Sequence, residues 1–417
     1  MNPVALLAAA AAWSAPQTVS APHTFAGPLY ASSGLAAWNW QDGVGQHAPT
    51  GASQVRVTGG EVSAEQRAPD GLVAAQTYGN GGTLELANKE LDNRGRRWRL
   101  TVTDGATRKT LATAFILFRP QLSVAPDGSA VVAWVELHGS RHVVRVATRS
   151  GTGPFSRPTA LVARGQTTLV TTAISRRGDV LVACVRGRKV LVRLRRPGHS
   201  WRAPDVMSSA RVRTTWQLAA GFDERARAVL VWRRHRFSSP GHPGVTALDE
   251  ATAGPAATRW STRQSLEADG ARDPELGPAL PHGLVLSYIH GPNSQAAPRV
   301  RTSADNGRFG PAQDAAAPQG GVRSVSAVFD PSAGLVVGWV IPNPSGDGGG
   351  IGYAAAQAGG TFGPREQATP NEATFDMRLV REPAGVRAFW TARPEGTGPS
   401  IPVSQIHTVV RTAVRSE

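Results

Sequence analysis

Cysteine is almost missing from this chain: Cys184 stands alone among 417 residues, so no intrachain disulfide staples the fold and no cysteine cluster holds a metal. Lysine is nearly as scarce, with only Lys89, Lys109 and Lys189, which leaves a formal net charge of +15 carried almost wholly by arginine. Long apolar runs are lacking too. The longest, residues 4–13, is too short for a membrane-spanning helix, so no membrane span is expected. No Gly-x-Ser-x-Gly elbow and no His-Glu-x-x-His motif occurs. Gly346-Asp-Gly-Gly-Gly350 lacks the following Lys-Ser/Thr of a phosphate loop and reads as a loop tip. No basic run with interleaved aromatics is apparent, so no specific nucleic-acid partner is expected. Nothing points to a cofactor or a metal.

What is abundant is turn chemistry and repetition. The sequence holds 46 glycines and 31 prolines beside a 41% hydrophobic content, enough for many turns and one large core. Short apolar runs that follow a turn and end on a large aromatic recur about every fifty residues. The clearest end at Trp38, Trp134, Trp232, Trp339 and Trp390, and weaker copies end at Gln76, Cys184 and Tyr288. A period of that length with several short strands per unit marks a β-propeller. The expected fold is therefore all-β, with eight four-stranded antiparallel blades, or seven if one copy is reduced to a hairpin.

One unit shows the logic. Leu122 to Gly128 reads as a strand ending in an Asp-Gly turn, Ala130 to Glu136 as the next strand, His142 to Thr148 as a third, and Phe155 to Leu161 as a fourth. The fourth-strand pattern, an aromatic followed closely by Ser, Gly or Pro, returns at Trp201, Trp260, Phe309 and Phe362, and at the start of the chain from Trp13 to Val19. The last unit stops after its third strand, Val403 to Val414. The opening segment is thus expected to supply the missing outer strand and close the ring. Inserts are expected at Phe237 to Pro255 and Pro342 to Gly350.

Residues 1–12 resemble the apolar part of a secretory signal, with Ala10-Ala11-Ala12 as small residues for cleavage, although no Lys or Arg flanks Met1. Residues 13–417 then form one exported, extracellular propeller domain. The arginine excess suits carboxylate, sulfate or phosphate, so an anionic glycan, a cell-wall polymer or a protein is the expected partner of a monomer. The competing reading is that Ala, Gly, Pro and Arg all reflect GC-rich codons.

Ser303-Ala-Asp305-Asn-Gly307-Arg-Phe309 resembles the Asp-box (BNR repeat) of the sialidase-like propellers, with one residue fewer before the aromatic, and Ser150 to Phe155 resembles a degenerate copy. In that family the box is structural: the resemblance implies that Asp305 accepts backbone N–H bonds, Gly307 takes a positive φ and Phe309 packs beneath. It implies kinship of fold rather than activity. A sialidase also needs an arginine triad, an Arg-Ile-Pro segment, an acid/base Asp and a Tyr paired with Glu. Phe118-Arg119-Pro120 is an imperfect echo of the second. Of the tyrosines, Tyr30, Tyr78, Tyr288 and Tyr353, Tyr288 occupies a tryptophan slot and reads as core.

Glu136-x-His138-x-x-x-His142 has metal-like spacing but lies across a hairpin, and Asp223-Glu224 and Asp269 with Asp273 sit in turns. Two function classes remain: a non-catalytic binding propeller, and a divergent sialidase-like glycoside hydrolase. Three or more arginines on the axis beside a Tyr-Glu pair favour the enzyme, and an axial channel lined by Ala, Val and Gly favours the binder.

Overall fold

The computed structural model describes residues 14–22, 25–42, 50–58, 61–79, 81–92, 94–163, 165–208, 214–236, 245–255, 259–261, 263–278, 283–303, 307–331, 334–342, 349–356, 360–367, 373–383, 385–393 and 409–415. Residues 1–12, read above as a signal, lie outside them. The described residues form a β-propeller of antiparallel sheets. Helix is confined among them to one 3₁₀ turn, Asn293–Gln295, and none of their helices is long and apolar enough to cross a membrane.

Seven sheets have the four-stranded form of a regular blade. In one of them Ile116–Val124, Ala130–His138, Arg141–Arg149 and Thr159–Ala163 pair in chain order from the axis outward. The remaining sheet departs from this pattern and corrects the expectation of eight four-stranded blades. It contains Phe25–Ser32, Leu35–Gln41 and Thr50–Thr58, and the last of these is flanked by two short strands instead of one. Glu61–Val62 pairs with its end and Gln66–Ala68 with its middle, because the chain turns back too early to follow a nine-residue strand along its length.

Gln76 is a second correction. It belongs to an innermost strand, Leu72–Tyr78, and the second strand of that blade is Gly82–Glu90. Gly82–Glu90 ends on no aromatic, so the sequence carries no repeat mark at the true second strand of this blade. The insert expected from Phe237 to Pro255 is also shorter than proposed, since Val245–Ala253 is a regular third strand.

The outer strands differ from expectation in a consistent way. Strands form at Thr159–Ala163, Asp205–Val206, Gln264–Glu267, Gln313–Asp314 and Glu366–Gln367, each just after the aromatic segment instead of within it. Proline lacks an N–H and fixes its own φ, so it serves as the lead into a ladder better than as a rung. The aromatic ahead of it is an anchor: Phe155 and Phe309 are buried. The opening segment behaves likewise, with Gln17–Thr18 pairing Gln17 to Thr412 and Thr18 to Arg411 of Val409–Arg415.

The core lies between sheets. Trp38, Trp134, Trp232, Trp339 and Trp390 are all at 0% exposure, and each packs against residues of the preceding blade. Trp232, for example, meets Leu181, Val190 and Val192, while Trp390 meets Val336 and Val340. Cys184 and Tyr288 fill the equivalent slots of their own blades. Burial pushes the Cys184 thiol up to about 12, so it stays an inert thiol. Truncating one such wedge leaves a cavity between two sheets. Trp232→Ala is expected to cost about 3–5 kcal/mol in denaturant unfolding, far more than substitution of an exposed arginine such as Arg177.

Candidate binding pocket on the axis

Innermost strands start with a defect. Seven of them carry a register shift near their beginning, at Ala26/Leu29, Leu72/Ala74, Phe118/Gln121, Thr167/Leu169, Thr215/Gln217, Arg272/Glu275 and Thr374/Asp376. A bulge bends the strand and re-aims a side chain that regular pleating would send elsewhere. At two of the bulges a non-glycine residue sits at positive φ, Arg119 at 54° and Asp273 at 53°. That conformation is costly for an L-residue and collects at functional sites.

Six of the innermost strands surround, with their first residues, a cavity of about 560 Å³ at the end of the ring where they begin. Arg119, Arg323 and Arg378 line it together with Asp273, Glu275 and Asp376, and Gln121 and Gln217 lie among them. An axis lined by Ala, Val and Gly is therefore not what forms. Small side chains dominate the second strands, and the polar ones at the bulges reach the axis.

Charge is unevenly balanced in this cavity. Arg378 lies 3.0 Å from Asp376 and 3.4 Å from Glu275, and the Glu275 carboxylate raises its pKa further. The Glu275 carboxyl is itself pushed up by burial, with Asp376 and Asp273 adding to the shift and Arg378 opposing it. Asp273 is held from the neighbouring blade: its backbone N–H donates to Gln217 Oε1 at 2.8 Å, and Gln217 Nε2 donates to its carboxylate. Arg233 donates to the same Gln217 Oε1 at 3.4 Å, and burial lowers the pKa of Arg233 and of Arg272 alike. By contrast, no carboxylate among the described residues lies within ion-pair distance of Arg119 or Arg323. Tyr30 stands beside Asp376 and Arg378, and burial pushes its phenol up to about 12.

The Tyr-Glu pair that a sialidase requires does exist, but elsewhere. Tyr288 donates to Glu267 at 2.8 Å, with Arg299 and Arg301 beside them. Tyr288 is at 0% exposure between two blades, so its ring is a core wedge, and the cluster is separate from the axial pocket. The Glu136 carboxylate accepts from Trp134, His138 and Arg145, while His142 Nδ1 turns to the Thr167 carbonyl, so the two histidines do not converge. Asp223 and Asp269 accept backbone N–H groups in turns, as expected. Asp273, grouped with them from the sequence, is instead part of the axial pocket. Glu275, Arg323, Asp376 and Arg378 escaped notice in the sequence altogether. Glu275 and Asp376 each stand fourth in an innermost strand, just past its register shift, whereas Arg378 lies two residues further on and Arg323 two residues ahead of a strand without a shift, so no common spacing marks the four.

Ser303, Gly307 and Phe309 lie away from the axial pocket. Ser303 bridges to Phe309, and Ser303 Oγ accepts the Leu284 N–H at 2.7 Å. Gly307 has φ 80°, a conformation that favours glycine, and a Cβ there would come within 2.2 Å of Arg227 Cδ on the adjacent blade, so that side chain would have to move. Asp305 lies outside the described residues. Next to Phe309, burial pushes the Glu250 carboxyl up to about 7, with the Phe309 N–H, Arg308 and Arg301 pulling the other way. A carboxyl that holds its proton more tightly when folded lends stability below pH 4.5 that is lost as pH rises through 7. Glu250→Gln should therefore flatten the melting temperature across that window, and at pH 8 it should be more stable than the parent by on the order of 3 kcal/mol.

No family model matches this chain, and no curated protein does. Among solved structures it is similar to an ulvan lyase of a polysaccharide lyase family, bound to an oligosaccharide of GlcA(1-4)Rha3S, with 10% identity over 97% of this chain and 95% of that one and a TM-score of 0.52. It is also similar to an α-L-arabinanase of Penicillium chrysogenum complexed with arabinobiose, with 11% identity over 64% of this chain and 88% of that one and a TM-score of 0.42. A third is the hemagglutinin-neuraminidase of parainfluenza virus 5, with 8% identity over 72% and 90% and a TM-score of 0.40. At such identities the likeness is one of fold alone.

Proposed function

We propose that the protein is an exported propeller that binds an acidic carbohydrate in its axial pocket, with Arg119, Arg323 and Arg378 receiving carboxylate or sulfate groups. The observation that carries this is the pair Arg119 and Arg323, two exposed guanidinium groups on one pocket with no carboxylate partner among the described residues. The guanidinium fork matches the geometry of both anions. A strained backbone at Arg119 is also more easily understood if the side chain has a ligand to meet. An ulvan lyase of similar fold is described with GlcA and Rha3S bound, which makes uronate and sulfated disaccharides the first probes. Calorimetric titration with a galacturonate disaccharide should show binding that weakens with salt, and Arg119→Ala with Arg323→Ala together should weaken it by at least about tenfold. Unchanged affinity in that double variant would overturn the assignment.

A second reading, cleavage of the glycan by a sialidase-like glycoside hydrolase, is favoured by one observation. Glu275 and Asp376 stand in one pocket, 3.4 and 3.0 Å from the same Arg378, and burial pushes the Glu275 carboxyl up, so two carboxyl groups in unlike surroundings face one cavity. New reducing ends on incubation with acidic oligosaccharides, abolished in Glu275→Gln, would support it, and an absence of products across uronate, sulfated and sialylated substrates would refute it.

The same proposal includes closure of the ring by Gln17–Thr18, an Asp-box role for Asp305, and a cell-wall or extracellular polymer as the ligand of a monomer. A chain beginning at residue 23 is expected to melt several degrees lower than one beginning at residue 13, because the outer edge of the last sheet is left unpaired. Equal melting temperatures would remove the latch from the proposal.

A further inference from the structure

A second cavity, of about 570 Å³, opens between the irregular sheet and the blade that follows it. It is formed by the ends of second strands and the start of an innermost strand, which places it on the same end of the ring as the axial pocket. It shares no residue with that pocket.

Its floor is aromatic. Trp40 lies two residues beyond the core Trp38 and is only half-buried. The indole is held in place by a 3.0 Å bond from Nε1 to Ser53 Oγ and by Gly51, where a Cβ would come within 2.4 Å of the ring. A ring fixed in this way, with Asn39, Gln41, Asn88 and Glu90 around the same cavity, combines a flat apolar face with hydrogen-bonding groups. That is the chemistry that recognises a pyranose, whose C–H face stacks while its hydroxyls bond at the edge.

The rim is basic. The Glu90 carboxylate accepts the Gly95 N–H, and Asp92 Oδ1 accepts the Arg96 and Arg97 N–H groups at 2.9 and 3.0 Å, so the loop beyond the cavity has a defined shape. Arg94, Arg96, Arg97 and Arg99 project from it, all exposed and none with a carboxylate within ion-pair distance among the described residues. Trp98 sits among them with Nε1 bonded to the Gly95 carbonyl at 3.0 Å. This stretch is a basic run with an interleaved aromatic, which the sequence reading above denied.

We propose that the Trp40 cavity is a second carbohydrate subsite that stacks a pyranose ring of an acidic polysaccharide, while the arginines of residues 94–99 receive its carboxylate or sulfate groups. The test is binding of a long oligogalacturonate to the full chain, in the parent and in the Arg119→Ala/Arg323→Ala background. Trp40→Ala should lower affinity about tenfold in both, with Trp40→Phe losing about threefold or less because a flat ring remains. Arg97→Ala with Arg99→Ala, at exposed positions that disturb no packing, should also weaken binding and flatten its salt dependence. Unchanged affinity in Trp40→Ala and in the arginine pair overturns the proposal, as does a loss in Trp40→Phe equal to that in Trp40→Ala. If the axial double variant binds like the parent while Trp40→Ala does not, the axial reading fails and this one stands.

Discussion

Burial between neighbouring sheets is the constraint on which the rest depends. A single twisted blade has two apolar faces and too few residues to cover either, so each must lie against another sheet. The large residue in the second strand of most blades does this work, wedged into the preceding sheet where radial spreading opens the widest gap. Trp38 extends the pattern around the molecule, because it shares an apolar layer with Val380 and Phe389 of the last sheet and with Val19 of the opening segment. Removing any wedge therefore weakens a contact between sheets that no other element replaces.

With the apolar energy placed between blades, the axis is left to polar groups. Adjacent innermost strands are tied by side-chain bonds where their backbones do not pair. Gln76 accepts the Val124 N–H and donates to the Leu122 carbonyl, Ser123 bonds Thr172, and Gln217 clasps Asp273. Buried amides and hydroxyls are tolerable only when satisfied in this way. The bulges at the strand starts then turn a further set of polar residues into open space, and the axial pocket follows from that geometry. A charged pocket is thus a by-product of how a ring of sheets solves its centre, and Arg119 and Arg323, with no carboxylate partner among the described residues, are what set it apart from simple structural bonding.

Arginine illustrates why the site was hard to see in the sequence. Arg387 is buried against Glu382 at 2.7 Å, and Arg149 lies between Tyr78 and Phe155 with Asp104 at 2.6 Å. Arg193 spans the carbonyls of Leu161 and Arg202. Each is a structural fastener, indistinguishable in composition from Arg119 or Arg378. Only position relative to a bulge separates the two kinds, and a bulge leaves no fixed residue signature when arginine, glutamine, threonine and aspartate all occupy it.

The amino-acid sequence by itself determined the repeat, because an aromatic wedge must recur wherever one sheet packs on the next, and it determined that Cys184 and Tyr288 are core residues, because they stand in wedge positions. It also determined that short outer strands lie beside prolines, though not that the prolines precede them. The tertiary structure alone decided which charged residues meet. Glu275, Arg323, Asp376 and Arg378 come from three different repeats, and Trp40 and Asn88 from two, so their proximity depends on the angle between sheets. No local spacing records that angle.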